Sequence, residues 1–385
     1  MSFFEVLKSE AKAVFSDVAI VLTIIGGVVL YAFLYPQPYI KESVSEIKVS
    51  VVDLDKTQLS RKVIFELNST PTIDVYRVDL SIKDAKEALL SGVVKGVVVI
   101  PADFNKDILL NKSPTVFVGG NAGYFLIFGG VVEGAMKSVL SLGASFKVAN
   151  LLKQQIPMGE AKELYSPYSA DFIELFNPQN SYTQYVIPAV FVLILQQTML
   201  IGLGILGGGI NERIKKGERG YFSEASPLQL IFSKVTIFVF VFFIHLMFYF
   251  GFSFEFFGIL HLANLQNLLI FSTLFLFASA FFGVFIGLLF GSREIATPVV
   301  LFSSLPLVFS AGFVWPLEAL PEFIRYISLL FPSTPAIDGF LKINQMGADF
   351  SSVLIQCRVL ILHICVYFTL SYVLLYIQRR RRVVS

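Results

Sequence analysis

The sequence predicts an α-helical integral membrane protein with six transmembrane helices, a re-entrant external hairpin, and an α/β extracytoplasmic domain inserted after the first span. Three observations lead there. Hydrophobic residues make up 55% of the 385 and charged residues only 15%, whereas a soluble domain carries about 25% charged residues. Six windows each offer at least 18 residues free of Asp, Glu, Lys and Arg, the length a bilayer demands of a helix. Between the first and second windows lies a long block, 37–185, with the alternation and capping signals of a folded domain.

The windows are Val18–Tyr35, Val186–Ile210, Val235–Phe254, Asn267–Gly291, Ile295–Pro316 and Val359–Gln378. The first, within residues 18–36, exceeds the apolar core of a signal peptide, and no small-x-small site precedes YPQPY, so it reads as an uncleaved anchor. Before it, in residues 1–17, Phe3, Phe4, Leu7, Ala11, Val14 and Phe15 recur opposite Glu5, Lys8 and Lys12. That spacing predicts an amphipathic helix on the cytoplasmic membrane surface. Lys/Arg bias sets the orientation. With both termini cytoplasmic, the inside segments hold twelve Lys and Arg, including Arg213, Lys215, Lys216, Arg293 and Arg379 to Arg382; the short outside loops hold only Arg325, Lys342 and Arg358. Residues 37–185 then lie outside, 186–378 form the remaining membrane domain, and 379–385 are a basic cytoplasmic tail.

AGFVWPLEALPEF (311–323) ends the fifth window in an unusual way. Pro316 and Pro321 break helices, and Glu318 and Glu322 are costly in lipid. The next apolar piece, Phe323–Phe331, is stopped by Pro332 and is too short to span. Residues 313–347 therefore read as a re-entrant hairpin on the outer side. Its second helix has Thr334 as N-cap, Pro335 at N1 and Gly347 at the stop. Asp338 stays on the watery side, and Gly339 marks close packing.

In the external block, EIKVSVVDL (46–54), TIDVYRV (72–78), VKGVVVIP (94–101) and TVFVG (115–119) read as strands. TQLSRKVIFEL and SIKDAKEALLSG have helical spacing with Gly92 as a C-cap, and Ala122–Gln155 reads as a helix or helix pair. VVDLDKT (51–57) has the D-x-D-x-T form of a phosphatase nucleophile and general acid. The simpler reading makes Asp55 an N-cap with Gln58 at N3. A membrane-anchored phosphatase using Asp53 and Asp55, or a non-transporting envelope scaffold, are the rival functions.

Other chemistry is sparse. The net charge of +2 does not suggest nucleic acid. His245, His261 and His363 form no metal-ligand spacing, and no G-x-x-x-x-G-K-[ST] is present. GLGILGGG (202–209) lies within a span and suits close helix packing. Cys357 and Cys365 sit eight apart on one helix, too far for a disulfide, and read as buried packing thiols. Gln196, Gln197 and His245 are polar groups within spans that either line a pathway or tie helices together. The 40 Phe suit an amphiphilic cargo and a lipid-facing surface alike, so the substrate stays open.

Several stretches together resemble the type-two permeases of ABC exporters, specifically the subgroup with a large external domain after the first span. They are VVDLDKTQLSRKVIFEL (51–67), VKGVVVIPADFNKDIL (94–109), ELFNPQNSYTQYVIPAVF (174–191), INERIKKGERG (210–220) and SAGFVWPLEALPEFIRYISLLFPSTPAIDGF (310–340). The resemblance implies a dimer of permease subunits in the inner membrane, each bound by a separate ATPase that carries ATP and magnesium. It also implies outward transport and, in Gram-negative relatives, a periplasmic adaptor. This chain would then hold no catalytic site, cofactor or metal of its own.

In the same resemblance, 211–234 is the coupling loop for the ATPase; Glu218, Arg219, Gly220, Ser226 and Pro227 match the family's positions, and Glu212 and Arg213 belong to the same loop. Tyr221 departs from the usual Thr, and the Gly220-to-Pro227 spacing is shorter than the family's. The hairpin residues that match are Gly312, Trp315, Pro316, Glu318, Pro321, Pro332, Pro335, Asp338 and Gly339.

Overall fold

In a computed structural model, the described residues are 1–39, 45–110, 112–123, 125–165, 175–177 and 181–384. They form two compact units, one of Met1–Ile40 with Leu175–Ser385 and one of Lys41–Glu174. The chain opens with α1 (Phe3–Ser16), started by a capping box between Ser2 and Glu5. Its protein-facing stripe is Val6, Glu10 and Val14, one residue per turn. Of the residues expected on the membrane face, Val14 is buried in protein, while Phe4 and Phe15 are exposed. Asp17 ends α1 and caps the next helix by accepting from the N–H groups of Ala19 and Ile20, so the chain turns there. Helix α2 (Val18–Val21) continues through a π-helical turn, Leu22–Gly27, into α3 (Val28–Leu34).

The second unit is built on a four-stranded sheet in the order β2-β1-β3-β4. Strands β1 (Ile47–Asp53), β2 (Ile73–Asp79) and β3 (Gly96–Ile100) are parallel, and β4 (Phe117–Gly120) is antiparallel to β3. Between the strands run α4 (Gln58–Asn68), α5 (Ile82–Leu90) and α6 (Phe104–Leu109), and α7 (Phe125–Lys153) and α8 (Met158–Tyr165) follow β4. Alternation splits the strand residues between two faces. Val49, Val51, Ile73, Val98 and Ile100 pack with Val63 and Leu67 of α4 and with Val131, Ala135 and Leu142 of α7. Val52 and Val97 meet Ala85 of α5 on the other face. Gly92 takes φ +76 just past α5, the left-handed conformation a helix stop favours.

The cap expected at Asp55 falls instead on Thr57. Its Oγ1 accepts from the Ser60 N–H at 3.3 Å, and Ser60 Oγ accepts from the Thr57 N–H at 3.0 Å. The physical reason lies upstream. Asp53 Oδ1 accepts from the N–H groups of Asp55 and Lys56, forming a tight turn with Lys56 at φ +56 that delays the helix start.

After the second unit come α9 (Tyr182–Lys215), α10 (Tyr221–Glu224) and α11 (Pro227–Met247). A π turn, Phe248–Ser253, leads into α12 (Phe254–Phe257), followed by α13 (Leu265–Leu289) and α14 (Ala296–Ser310). Then α15 (Glu322–Ser328), α16 (Ser333–Asn344) and α17 (Leu354–Val384) complete the chain. The apolar window of α9 is 94% buried, which makes α9 the axis of this unit. It approaches α13 through glycine: a Cβ on Gly207 would lie 2.6 Å from the Gly287 carbonyl carbon. The glycine run is therefore helix-packing surface.

Among the described residues, seven helices are long and apolar enough to cross a membrane. Six coincide with the windows read from the sequence, and the seventh is Ile127–Lys153 within α7. Two boundaries differ from expectation. The fifth helix stops at Ser310 rather than Pro316, because Gly312 takes φ +93 and Pro316 follows. Helix α16 starts at Ser333 after Pro332, so Thr334 lies inside the helix rather than capping it. Both cysteines are free, with Cys357 buried as expected but Cys365 exposed, on the same face of α17 as exposed Ile361, Leu362 and Thr369.

Replacing Thr57 with Ala removes the observed cap and is expected to cost about 1 kcal/mol. Hydrogen exchange in the intact protein should show α4 amides exchanging several-fold faster. Asp55→Ala should retain the capping box; loss of the box in that variant would restore Asp55 as the cap.

Candidate functional site

Two places concentrate polar contacts. The first is the connection from α9 to α11. At the end of α9, Glu212 pairs with Lys216 at 2.9 Å and Arg213 pairs with Glu218 at 2.7 Å. The Arg213 guanidinium also lies 5.1 Å from the Phe222 ring centroid. Gly217 at φ +76 turns the chain, and Arg219 is exposed. Gly220 is needed for a close approach, since a Cβ there would sit 2.8 Å from the Phe222 ring. Ser226 caps α11 with Pro227 at its first position and Gln229 closing the box, and Gln229 Nε2 donates to the Met1 carbonyl.

This connection is braced on three sides. Asn211 donates to the carbonyls of Leu288 and Phe290, and Lys215 to that of Gly291 at 3.1 Å, satisfying the open carbonyls after α13. Arg379 of α17 donates to the carbonyls of Phe222 and Ala225. Phe222, Ala225 and Leu230 pack on Val6 of α1. Below them Lys234 Nζ donates to Glu10, and both side chains are buried. Burial, and next the Glu10 carboxylate, push the Tyr221 hydroxyl pKa up and keep it protonated. Arg293 pairs with Asp17 at 2.8 Å beside the turn between α1 and α2.

The second place is the break between α15 and α16. Three consecutive carbonyls there are each met by a side chain, and that of Ser328 also accepts from the Phe331 N–H at 3.0 Å. Thr334 Oγ1 donates to the Ser328 carbonyl at 2.7 Å. His363 Nε2 lies 2.8 Å from the Leu329 carbonyl, and Tyr367 Oη donates to that of Leu330. On the α16 side, Gln196 Oε1 accepts from the Ser333 N–H at 2.6 Å while its Nε2 donates to Ser333 Oγ. Gly339 seats α16 against Phe271, where a Cβ would come within 2.2 Å of the ring. Asp338 accepts from Lys342 and from Gln356 of α17, and Pro335 is buried near the start of α16. Glu318 and Glu322 are exposed, as are Trp315, Pro316 and Pro321.

The span polar groups thus part company. Gln196 ties α9 to α16. Gln197 is buried with neither side-chain polar atom bonded, and His245 is buried with Nε2 unbonded. Composition signalled none of the other partners: Glu10 sat on a helix read as amphipathic, and His363 and Tyr367 looked like ordinary span residues.

A family model described as ABC-2 family transporter protein matches residues 18–373, which takes in the connection 211–234 and the α15–α16 break. The chain belongs to the ABC-2 transporter family. A comparison with curated proteins returns no match. As an ABC-2 permease, the chain is a multi-pass membrane transport subunit that is not itself catalytic, and the family implies an ATPase in the same transporter.

Against that assignment the Asp53 and Asp55 carboxylates have ordinary structural work. Asp53 Oδ2 accepts from Ser60 Oγ at 2.7 Å, beside the two backbone N–H groups on Oδ1. Asp55 Oδ2 accepts from Thr57 Oγ1 and from the Asn105 N–H, joining the end of β1 to α6. Among the described residues, no three His, Cys, Asp or Glu side chains converge on a metal-sized site.

The buried Glu10–Lys234 pair in this permease yields a specific expectation. Lys234→Met alone strands a buried carboxylate and should cost about 3–5 kcal/mol, whereas Glu10→Leu with Lys234→Met should recover most of it. Thermal unfolding of the four proteins in detergent measures the cycle. Equal stability of Lys234→Met and the parent would show that the pair is not formed.

Proposed function

We propose that this permease exports its substrate outward across the inner membrane, driven by a separate ATPase that docks on the connection 211–234. The observation that carries the reading is the bracing of α10. This short helix is joined to α1, α9, α11 and α17 through Phe222, Ala225 and Arg379, while Glu218, Arg219 and Glu224 face outward. A partner that displaced the exposed edge would move several membrane helices together, as alternating access requires.

The same proposal takes six spans, with both termini cytoplasmic and residues 37–185 outside, as the Lys and Arg bias supports. Helix α7 is left out of the spans because Val131, Ala135 and Leu142 fill the core beneath the sheet. The hairpin 313–347 enters the outer leaflet and returns. Two permease copies form the pathway, and an adaptor outside is a further partner. ATP and magnesium belong to the ATPase. Gln197 and His245, buried with unbonded polar atoms, are the residues proposed to face the pathway.

Reversing charge at Glu218 and Arg219 should leave folding intact, since exposed pairs contribute little stability. It should weaken co-purification of the ATPase or uncouple ATP hydrolysis from export. Full binding together with normal transport would remove this stretch from the coupling role.

Topology is testable separately, with single cysteines in a background lacking Cys357 and Cys365. Position 318 should react with a membrane-impermeant thiol reagent from outside only, and position 219 only after the membrane is opened. Labelling of both from one side would overturn the six-span arrangement.

A further inference from the structure

A groove of about 550 Å³ runs between α14 and α15, within the roughly 300–1,000 Å³ typical of ligand sites. Phe302, Pro306, Phe309, Trp315, Ile324 and Ile327 line it. Two of its serines are satisfied internally: Ser303 Oγ donates to the Val300 carbonyl and Ser328 Oγ to that of Arg325. A ligand held there gains hydrophobic contact and finds no hydrogen-bonding group in those two serines. The segment that closes the groove carries charge, however. Glu318 and Glu322 are exposed and make no ion pair among the described residues, and Arg325 follows one turn after Glu322 with its guanidinium 5.6 Å from the Tyr326 ring.

We propose that this groove binds one acyl chain of a membrane phospholipid whose head group bears an ammonium, with Glu318 and Glu322 receiving the ammonium and Arg325 the phosphate. The inference rests on the reading of the chain as a membrane permease with this hairpin at the lipid–water boundary. Charge complementarity selects the occupant. An apolar trough flanked by two carboxylates and one guanidinium matches hydrocarbon joined to a zwitterion. A second copy fits less well, because a two-fold interface would bring the same unpaired carboxylates towards each other.

Trp315 is the only tryptophan in the chain and lines the groove, so its fluorescence reports on the occupant directly. The full chain is placed in bilayer discs of phosphatidylglycerol containing a minor fraction of phosphatidylethanolamine brominated on its acyl chains. A parallel sample carries brominated phosphatidylglycerol at the same fraction. The phosphatidylethanolamine guest should show an apparent association about threefold higher than the phosphatidylglycerol guest, the scale of an exposed charge pair. Glu318→Gln with Glu322→Gln should abolish that preference while leaving the basal quenching. Ile327→Phe, which fills the groove, should lower quenching by both guests. Equal quenching by the two guests in the parent would reduce the groove to ordinary lipid contact and overturn the proposal. So would absence of quenching by either guest together with crosslinking of Ile324→Cys between copies, which would give the groove to a second permease. Head-group preference reads the groove whichever side it faces, whereas thiol labelling at 318 reads the side, so the two readings fail separately.

Discussion

Backbone groups that lose helical partners dictate much of this architecture. Each one left buried without a partner costs several kcal/mol, so the breaks between these helices gather side chains that meet the freed groups. The α15–α16 break shows the rule at its densest: Gln196, Thr334, His363 and Tyr367 converge on four groups between Ser328 and Ser333. Pro188 shows it again. Having no N–H, it frees the Gln184 carbonyl one turn earlier, and Gln345 Nε2 donates to that carbonyl at 2.9 Å. Beside the π turns, the Tyr249 hydroxyl donates to the Val28 carbonyl at 2.8 Å.

These obligations explain which helices touch. Helix α16 lies against α9 and α17 because its start and the end of α15 depend on Gln196, His363 and Tyr367. The loop after α12 is drawn to the same end, where the Gln184 side chain donates to the Gly258 carbonyl and accepts from the Leu260 N–H. At the opposite end of α9 the currency changes from neutral hydrogen bonds to charge, in the pairs around Arg213, Lys216, Arg293 and Lys234. Helix ends near water accept charged partners at small cost, whereas the buried Glu10–Lys234 pair holds only while both members are present.

The sequence made the gross plan legible through quantities that add along the chain. Charge-free length located the six windows, and Val/Ile enrichment located the strand at Ile47–Asp53. Local punctuation was legible too, as at Ser226-Pro227 and Gly92. What escaped reading depended on contacts between distant residues. Glu10 and Lys234 are 224 positions apart, and Gln196 and Ser333 are 137 apart, so no window contains both partners. Thr57 took the cap from Asp55 for a nearer reason. Asp53 closed a turn first, and an N-cap depends on the dihedral angle at one residue, which composition does not specify.

Helix α9 is the element through which the two ends can communicate. It bonds α16 and the loop after α12 through Gln184 and Gln196, and it bonds the end of α13 through Asn211 and Lys215. Between those points Gly207 presses directly on Gly287 of α13, leaving no side-chain cushion there to absorb a displacement. By contrast, the windows of Val18–Tyr39, Arg293–Ser310 and Phe350–Arg380 are each only 22% buried, so neighbouring helices enclose them less. In the proposed cycle, a push at α10 would therefore travel along α9 and α13 as one body. The hairpin would then follow α9 because Gln196 holds the Ser333 N–H, and breaking that bond would leave a buried donor without a partner.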